Sequence, residues 1–291
     1  MTQIINSFDE ISERYDAALV DLWGCLHNGY EPFAAAVSAL AKFRDKGGKI
    51  LLLTNSPRPR PSVMRQLDKI GVPRDLYHDI AASGDASQFS LVAGDVGTKV
   101  YHLGPERDRG FFKELPKVAG KQVDISLVPL ASAEGIVCTG LFDDDTETPD
   151  DYRETFLYAK SKGLKMLCTN PDIIVDKGDR RIYCAGALAR AFEEMGGESL
   201  YFGKPYPAIY DLARRRLMAL ADVQDHRIIG IGDGINTDIR GAIAEDIDSL
   251  FVTGGLAATE TGTVDQPEPQ RLAKFLNAAQ LSPTYAIGHL R

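Results

Sequence analysis

The sequence predicts an α/β protein with a mostly parallel sheet, and three observations carry that expectation. Short apolar runs alternate with helical patterns along the chain, the order that builds βα units. The runs are almost continuously apolar, as strands buried on both faces are. Four of them end in polar residues of different chemical kinds, and open α/β sheets bind ligands beyond the carboxyl ends of their strands. Ala17-Ala18-Leu19-Val20 ends in Asp21, and Lys49-Ile50-Leu51-Leu52-Leu53 in Thr54-Asn55-Ser56. Ser199-Leu200-Tyr201-Phe202-Gly203 ends in Lys204-Pro205, and Arg227-Ile228-Ile229-Gly230-Ile231-Gly232 in Asp233. The four ends are expected to share one sheet edge.

Taken in order, Gly24-Cys25-Leu26-His27-Asn28-Gly29-Tyr30 follows Asp21, and its Asn-Gly pair predicts a tight hairpin acting as a flap. Ala34 to Lys46 has helical apolar spacing and stops at Gly47-Gly48. After the Lys49 strand, Pro57, Pro59 and Pro61 introduce a helix from Ser62 to Ile70, and another covers Asp85 to Val92. Lys99 to Leu103, Gly135 to Thr139 and Leu164 to Cys168 read as strands. Asp151 to Lys162 reads as a helix capped by Asp150 or Thr148. Arg181 to Cys184 leads to a helix from Gly186 to Met195. This middle block has the pattern of a second sheet-and-helix layer inserted into the first. A helix from Ala208 to Leu220, the Asp233 strand, a helix from Thr237 to Ala244, a strand from Asp248 to Val252 and a helix from Gln270 to Ala279 complete the assignment. The tail from Ser282 to Arg291 receives none, and no solenoid repeat or low-complexity segment occurs.

The chain has 291 residues, 44% of them apolar and 25% charged, as in a soluble globular protein of one large domain or two ordinary ones. A net charge of −8 without a basic patch argues against nucleic acid or an anionic membrane as partner. A small anionic substrate is still allowed, because one lysine, a metal and backbone amides suffice to hold a phosphate. Homo-oligomerisation is left open. Cys25, Cys138, Cys168 and Cys184 have neither CxxC nor Cys/His metal spacing, so reduced thiols in a cytoplasmic protein are expected. The first residues show no leader signal, and no apolar run is long enough to span a bilayer.

Asp21 alone has three readings: nucleophile, metal ligand, or a strand-end acid capping the next turn, the last being commonest. Gly232-Asp233-Gly234-Ile235-Asn236-Thr237-Asp238 changes the balance by placing two more carboxylates on a glycine-rich strand-to-helix turn. Crowded buried carboxylates are stable chiefly around a cation, and oxygen ligands select a hard one such as Mg²⁺. Beside Mg²⁺, Asp21 has the chemistry to attack a phosphoryl group, forming an aspartyl-phosphate. Lys204 then offsets the repulsion, while Thr54 and the amides around Asn55-Ser56 suit the phosphoryl oxygens. The glycines are not a dinucleotide loop, since Ile235 stands where that fingerprint needs its third glycine.

Together, Asp21-x-Trp23-Gly24, Thr54-Asn55-Ser56, Gly203-Lys204-Pro205 and Gly232-Asp233-x4-Asp238 resemble the four ordered motifs of the haloacid dehalogenase-like (HAD) phosphatases. Cys168-Thr169-Asn170-Pro171-Asp172 and Cys184-Ala185-Gly186-Ala187-Leu188 are similar to the class IIA, NagD-like branch. The resemblance implies a Rossmann-like core at 1–97 and 197–291 and an inserted α/β cap of C2 type at 98–196. It implies Mg²⁺ on Asp21, the Trp23 backbone carbonyl and Asp233, with Asp238 in support. It implies Asp21, Thr54 and Lys204 as catalytic residues, and Trp23, Asn55, Ser56, Asn170 and Asp172 toward a small phosphomonoester such as a sugar phosphate, nucleotide or cofactor phosphate.

One departure stands out. Most members of that group carry an aspartate two residues after the nucleophile as general acid and base, a contribution of about 10²–10⁴-fold. Here Trp23 cannot exchange a proton at neutral pH. His27 on the flap is a possible substitute, a good leaving group would need none, and a protein that binds phosphorylated ligands without turning them over is the alternative. C–halogen hydrolysis is a weaker third reading. Cys25 is expected to pack as a small thiol, Trp23 to pack under the flap, Asp143 to Asp145 to form a solvated loop, and Arg214-Arg215-Arg216 to point into water.

Overall fold

A computed structural model describes residues 2–113, 115–178 and 180–291. The first sheet begins with β1 (Gln3–Ile4), β2 (Ala17–Val20), β3 (Lys49–Thr54) and β4 (Asp79–Ala82). The chain then builds β5 (Lys99–Leu103), β6 (Ser126–Leu127), β7 (Gly135–Cys138) and β8 (Lys165–Cys168). An antiparallel hairpin of β9 (Ile174–Lys177) and β10 (Arg180–Tyr183) follows, then β11 (Glu198–Tyr201). It returns through β12 (Ile228–Gly232), β13 (Asp248–Val252) and β14 (Tyr285–Ile287).

The first sheet has the order β1-β14-β13-β12-β2-β3-β4 and every pairing is parallel. Burial of all four β2 residues explains its unbroken apolar sequence. The helices Ala34–Asp45 and Arg60–Ile70 cover one face through Leu40, Phe43, Val63 and Leu67. The helix Pro207–Met218 covers the other through Ile209, Leu212 and Leu217. From β2 the chain moves to β3 on one side, whereas from β12 it moves to β13 on the other. The β2/β12 boundary is therefore a switch point, where the strand ends leave a crevice.

The second sheet has the order β11-β8-β7-β5-β6, also parallel. The helices Arg153–Ser161 and Ala185–Glu194 cover one face through Phe156, Leu188 and Phe192. The helix Ser83–Ala93 lies between the sheets, Ala86 packing on the first and Leu91 and Val92 on the second.

Two expectations change. The run before Lys204 is β11 of the second sheet, not a fourth strand of the first, because a short half-buried apolar run does not specify its neighbour. The unassigned tail supplies β14, which sits between β13 and β1. The Asn28-Gly29 stretch makes the expected tight reversal, bridged antiparallel at His27 and Pro32 and closed by the Asn28 amide on the Glu31 carbonyl at 3.2 Å, and the Asn28 side-chain oxygen also accepts from the Tyr30 and Glu31 amides at 3.0 Å. Among the described residues, no helix is long and apolar enough to cross a membrane.

Candidate active site

Asp21 leaves β2 at the switch point, its amide donating to the Ile231 carbonyl of neighbouring β12 at 2.8 Å. Asp233 follows β12 directly. Asp238 is brought beside it by a π-helical turn, Ile235–Ile239, and accepts from the Gly234 amide at 3.0 Å. Gly24 and Gly255 flank Asp233, and a Cβ on either would overlap its carboxylate, so these backbones lie against the acid because they are glycine. The Leu256 amide donates to Asp233 Oδ2 at 3.0 Å.

Into this group of acids reaches Lys204, only 2% exposed. Its Nζ donates to Asp21 Oδ1 at 2.5 Å, Asp238 Oδ1 at 2.6 Å and the Leu53 carbonyl at 2.9 Å, using every ammonium proton. Burial opposes its charge, but Asp21, Asp238 and Asp172 outweigh burial and hold the group protonated. Burial pushes the Asp21 carboxyl up to about 7, against the pull of Lys204. Asp233 is pushed well above the carboxylate range by burial and then by the charges of Asp21 and Asp238.

Asp21, Cys25 and Asp233 each bring a donor atom within 4.8 Å of the others. Three buried carboxylates, Asp21, Asp233 and Asp238, meet at this edge, and oxygen donors suit a hard divalent ion. The residues therefore fit a divalent cation on the two carboxylates. The Cys25 thiol, raised by burial and by the same acids, is a packed neutral group as expected.

Thr54 ends β3 with its hydroxyl oxygen accepting from the Ser56 amide at 3.2 Å, which leaves the hydroxyl proton free to donate. Asn55, expected toward substrate, is not among the residues lining the cleft, and its side-chain amide is engaged with protein. Its Oδ1 accepts from the Lys204 amide at 2.7 Å, and its Nδ2 donates to the Lys204 carbonyl at 3.1 Å and to Asp172 Oδ1 at 2.9 Å. It is a clamp that fixes Lys204 and joins it to the second sheet. Asp21, Trp23, Thr54, Ser56, Asn170, Asp172, Lys204, Asp233 and Asp238 all line one cleft of about 610 Å³ between the sheets. The Gly178 amide of the β9–β10 hairpin donates to the Asn28 carbonyl at 3.2 Å and closes the rim.

Arg58, Arg107 and Asp108 also line the cleft and carried no sequence signal. Arg58 pairs with Asp108 at 2.9 Å and Arg107 with Asp144 at 2.6 Å. Asp144 is thus ion-paired and mostly covered, not a solvated loop acid. Arg214 and Arg216 likewise leave solvent for Glu245 at 2.5 Å and Asp85 at 2.9 Å. His27 is fully buried rather than presented on a flap. Its Nδ1 accepts from the Gly29 amide at 3.0 Å, and burial pushes its pKa down to about 4. It is a neutral packing group under Trp23, whose indole meets it edge-on at 5.1 Å.

A haloacid dehalogenase-like hydrolase family model matches residues 18–116, and a HAD-hydrolase-like model matches 201–279. The crystal structure of a haloacid dehalogenase-like family hydrolase from Brucella suis 1330 is 38% identical, with a TM-score of 0.86, and covers 99% of this chain and 100% of that one. The acid sugar phosphatase of Staphylococcus saprophyticus is 24% identical over 267 residues, covering 91% of this chain and 96% of its own. The glycerol phosphate phosphatase of Mycobacterium tuberculosis, solved in complex with calcium, shares the fold at a TM-score of 0.65 and 22% identity, covering 96% of this chain and 74% of that one.

Proposed function

The chain belongs to the haloacid dehalogenase-like hydrolases, and on that premise we propose that it is a phosphatase acting on a small phosphomonoester through an aspartyl-phosphate on Asp21. Lys204 is the observation that carries this reading. A buried ammonium fixed between Asp21 and Asp238 at 2.5 and 2.6 Å lowers the repulsion between an attacking carboxylate and an incoming phosphate without any rearrangement. Asp238 and the Asn55 clamp position Lys204. The Thr54 hydroxyl and the Ser56 side chain receive the phosphoryl oxygens. Asp21, the Trp23 carbonyl and Asp233 would hold Mg²⁺, with Asp238 in support. When bound, the ion supplies positive charge at the phosphoryl oxygens.

The second sheet, 98–196 extended by β11, serves as a cap over a core formed by 1–97 and the chain after β11. Asn170 and Asp172 face the substrate from it, and the Trp23 ring forms a wall below. A cleft of about 610 Å³ suits a metabolite of sugar-phosphate or nucleotide size. The activities named for the sugar phosphatase and the glycerol phosphate phosphatase agree with a small ester.

The test is phosphate release, with and without Mg²⁺, from 4-nitrophenyl phosphate, sugar phosphates, glycerol 3-phosphate, pyridoxal phosphate, nucleotides and FMN, using Asp21→Asn as control. Release that requires Mg²⁺ and disappears in the variant supports the route. Equal inactivity of two folded, metal-binding proteins on every ester points instead to a protein that binds phosphorylated ligands without hydrolysing them.

A further inference from the structure

If the chain hydrolyses phosphomonoesters, the alkoxide leaving Asp21-bound phosphorus needs a proton, and Trp23 has none to give. The remaining acids of the cleft divide sharply. Asp108 is paired with Arg58 at 2.9 Å, Asp144 with Arg107 at 2.6 Å, and Asp176 with Arg181 at 2.8 Å. Each of these carboxylates is engaged by a guanidinium. Asp172 differs. Among the described residues it has no cationic partner within 4.0 Å, and its carboxyl meets a neutral amide, Asn55 Nδ2, through Oδ1 at 2.9 Å. Its other oxygen accepts no protein hydrogen bond among the described residues, and it lines the same cleft as Asp21.

The backbone around Asp172 fixes its direction. Its amide donates to Asn170 Oδ1 at 3.0 Å, and its carbonyl accepts from the Gly186 amide at 3.1 Å. The ionisable groups that act on it are Lys204, from the turn after β11, and Asp238, beside β12, and Asp172 in turn acts on Asp21 and the Cys184 thiol. Burial raises its carboxyl to about 6, against the opposing pull of Lys204 and Asn55, so both protonation states are accessible near neutral pH.

We infer that Asp172 is the general acid and base of this chain, doing from the cap the work that position 23 cannot do. In the first step Asp21 forms a bond to phosphorus, the ester P–O bond breaks, and Asp172 gives its proton to the departing oxygen. The products are an alcohol, the aspartyl-phosphate and an Asp172 carboxylate. In the second step water forms the new P–O bond, Asp172 takes a proton from it, and Asp21 leaves as carboxylate. Inorganic phosphate departs and Asp172 is protonated again.

The inference rests on the phosphatase reading, and its test keeps the two apart. Wild type and Asp172→Asn are compared with Mg²⁺ on 4-nitrophenyl phosphate, whose leaving group needs no proton, and on glycerol 3-phosphate, whose leaving group does. The variant is expected to release about one equivalent of nitrophenolate per site in a burst within ~10-fold of the wild-type rate, then stall. On glycerol 3-phosphate it is expected to lose ~10²–10⁴-fold with no burst. Equal slowing of both substrates, or turnover of glycerol 3-phosphate within a few-fold of wild type, overturns the inference. Wild type inert on both esters and on every other ester of the panel overturns the phosphatase reading itself, before any variant is compared. A melting curve separates loss of the site from loss of the fold, and Asp172→Ser carries the same comparison if the amide variant does not fold.

Discussion

The molecule contains the same corner twice. Thr54-Asn55 closes β3 in the first sheet and Thr169-Asn170 follows β8 in the second. In each, a corner carbonyl accepts from a glycine amide at the start of a helix, Ser56 from Gly84 at 3.0 Å and Asp172 from Gly186 at 3.1 Å. The side chains then diverge. Thr169 is buried and donates to the Cys138 carbonyl of neighbouring β7 at 3.0 Å, whereas Thr54 keeps its hydroxyl proton for the cleft. Asn170 folds back on its own turn, whereas Asn55 reaches across to Lys204 and Asp172. Local sequence makes the corner; the distant partner decides what it does. The first corner organises charge and the second presents an acid.

The harshest way to break this contrast is Lys204→Met, which removes the cation that the first corner holds. Asp21 and Asp238 are then buried without their partner, so phosphate release is expected to fall by ~10³-fold or more and stability by about 3–5 kcal/mol in Mg²⁺-free urea titrations. Stability loss no larger than that of Asn170→Ala would remove the distinction between the corners. Asn55→Ala deletes three bonds to distant chain and is expected to cost about 2–4 kcal/mol, against ~1 kcal/mol for Asn170→Ala. Equal losses would mean that the cross-link is incidental.

Gly84→Ala and Gly186→Ala probe what the corners share. Each new Cβ collides with corner backbone, at the Pro57 carbonyl or at the Pro171 and Asp172 carbonyls. Both variants are expected to lose about 1–3 kcal/mol, and a large difference would show that the corners are not built alike. The mildest effect concerns pH. Because the folded Asp172 carboxyl is raised to about 6 from 3.8, folding retains a proton that the unfolded chain releases between those values. Wild-type stability therefore falls as pH rises from about 4 through 6. Asp172→Asn should flatten that part of the stability-versus-pH curve, and a curve unchanged by the substitution would place Asp172 in an ordinary aqueous environment.

Much of this was legible in the sequence because the strands of the first sheet are buried on both faces. An apolar run ending in Asp21, Thr54 or Asp233 states both its strand and its polar end. Lys204 was found by the same signal but assigned to the wrong sheet, since three half-buried residues after an exposed one satisfy the pattern of either. The three-residue β14 is too short to register. Arg214 and Arg216 read as surface charge because their partners, Glu245 and Asp85, lie far away in sequence. Asn55 was seen as polar and near the site, but its engagement with Lys204 and Asp172 exists only once two sheets meet.

That engagement bears on any attempt to transplant specificity. Exchanging the second sheet for that of a relative would import a new residue at 172 and a new approach to Lys204, while Asn55 stays behind in the recipient. A graft that preserves only the visible cleft wall would leave the recipient amide with mismatched ends and the ammonium loosely aimed. The exchangeable module is therefore the second sheet together with Asn55, a single residue more than 40 positions upstream of β5, and chimeras that carry it should outperform those that do not.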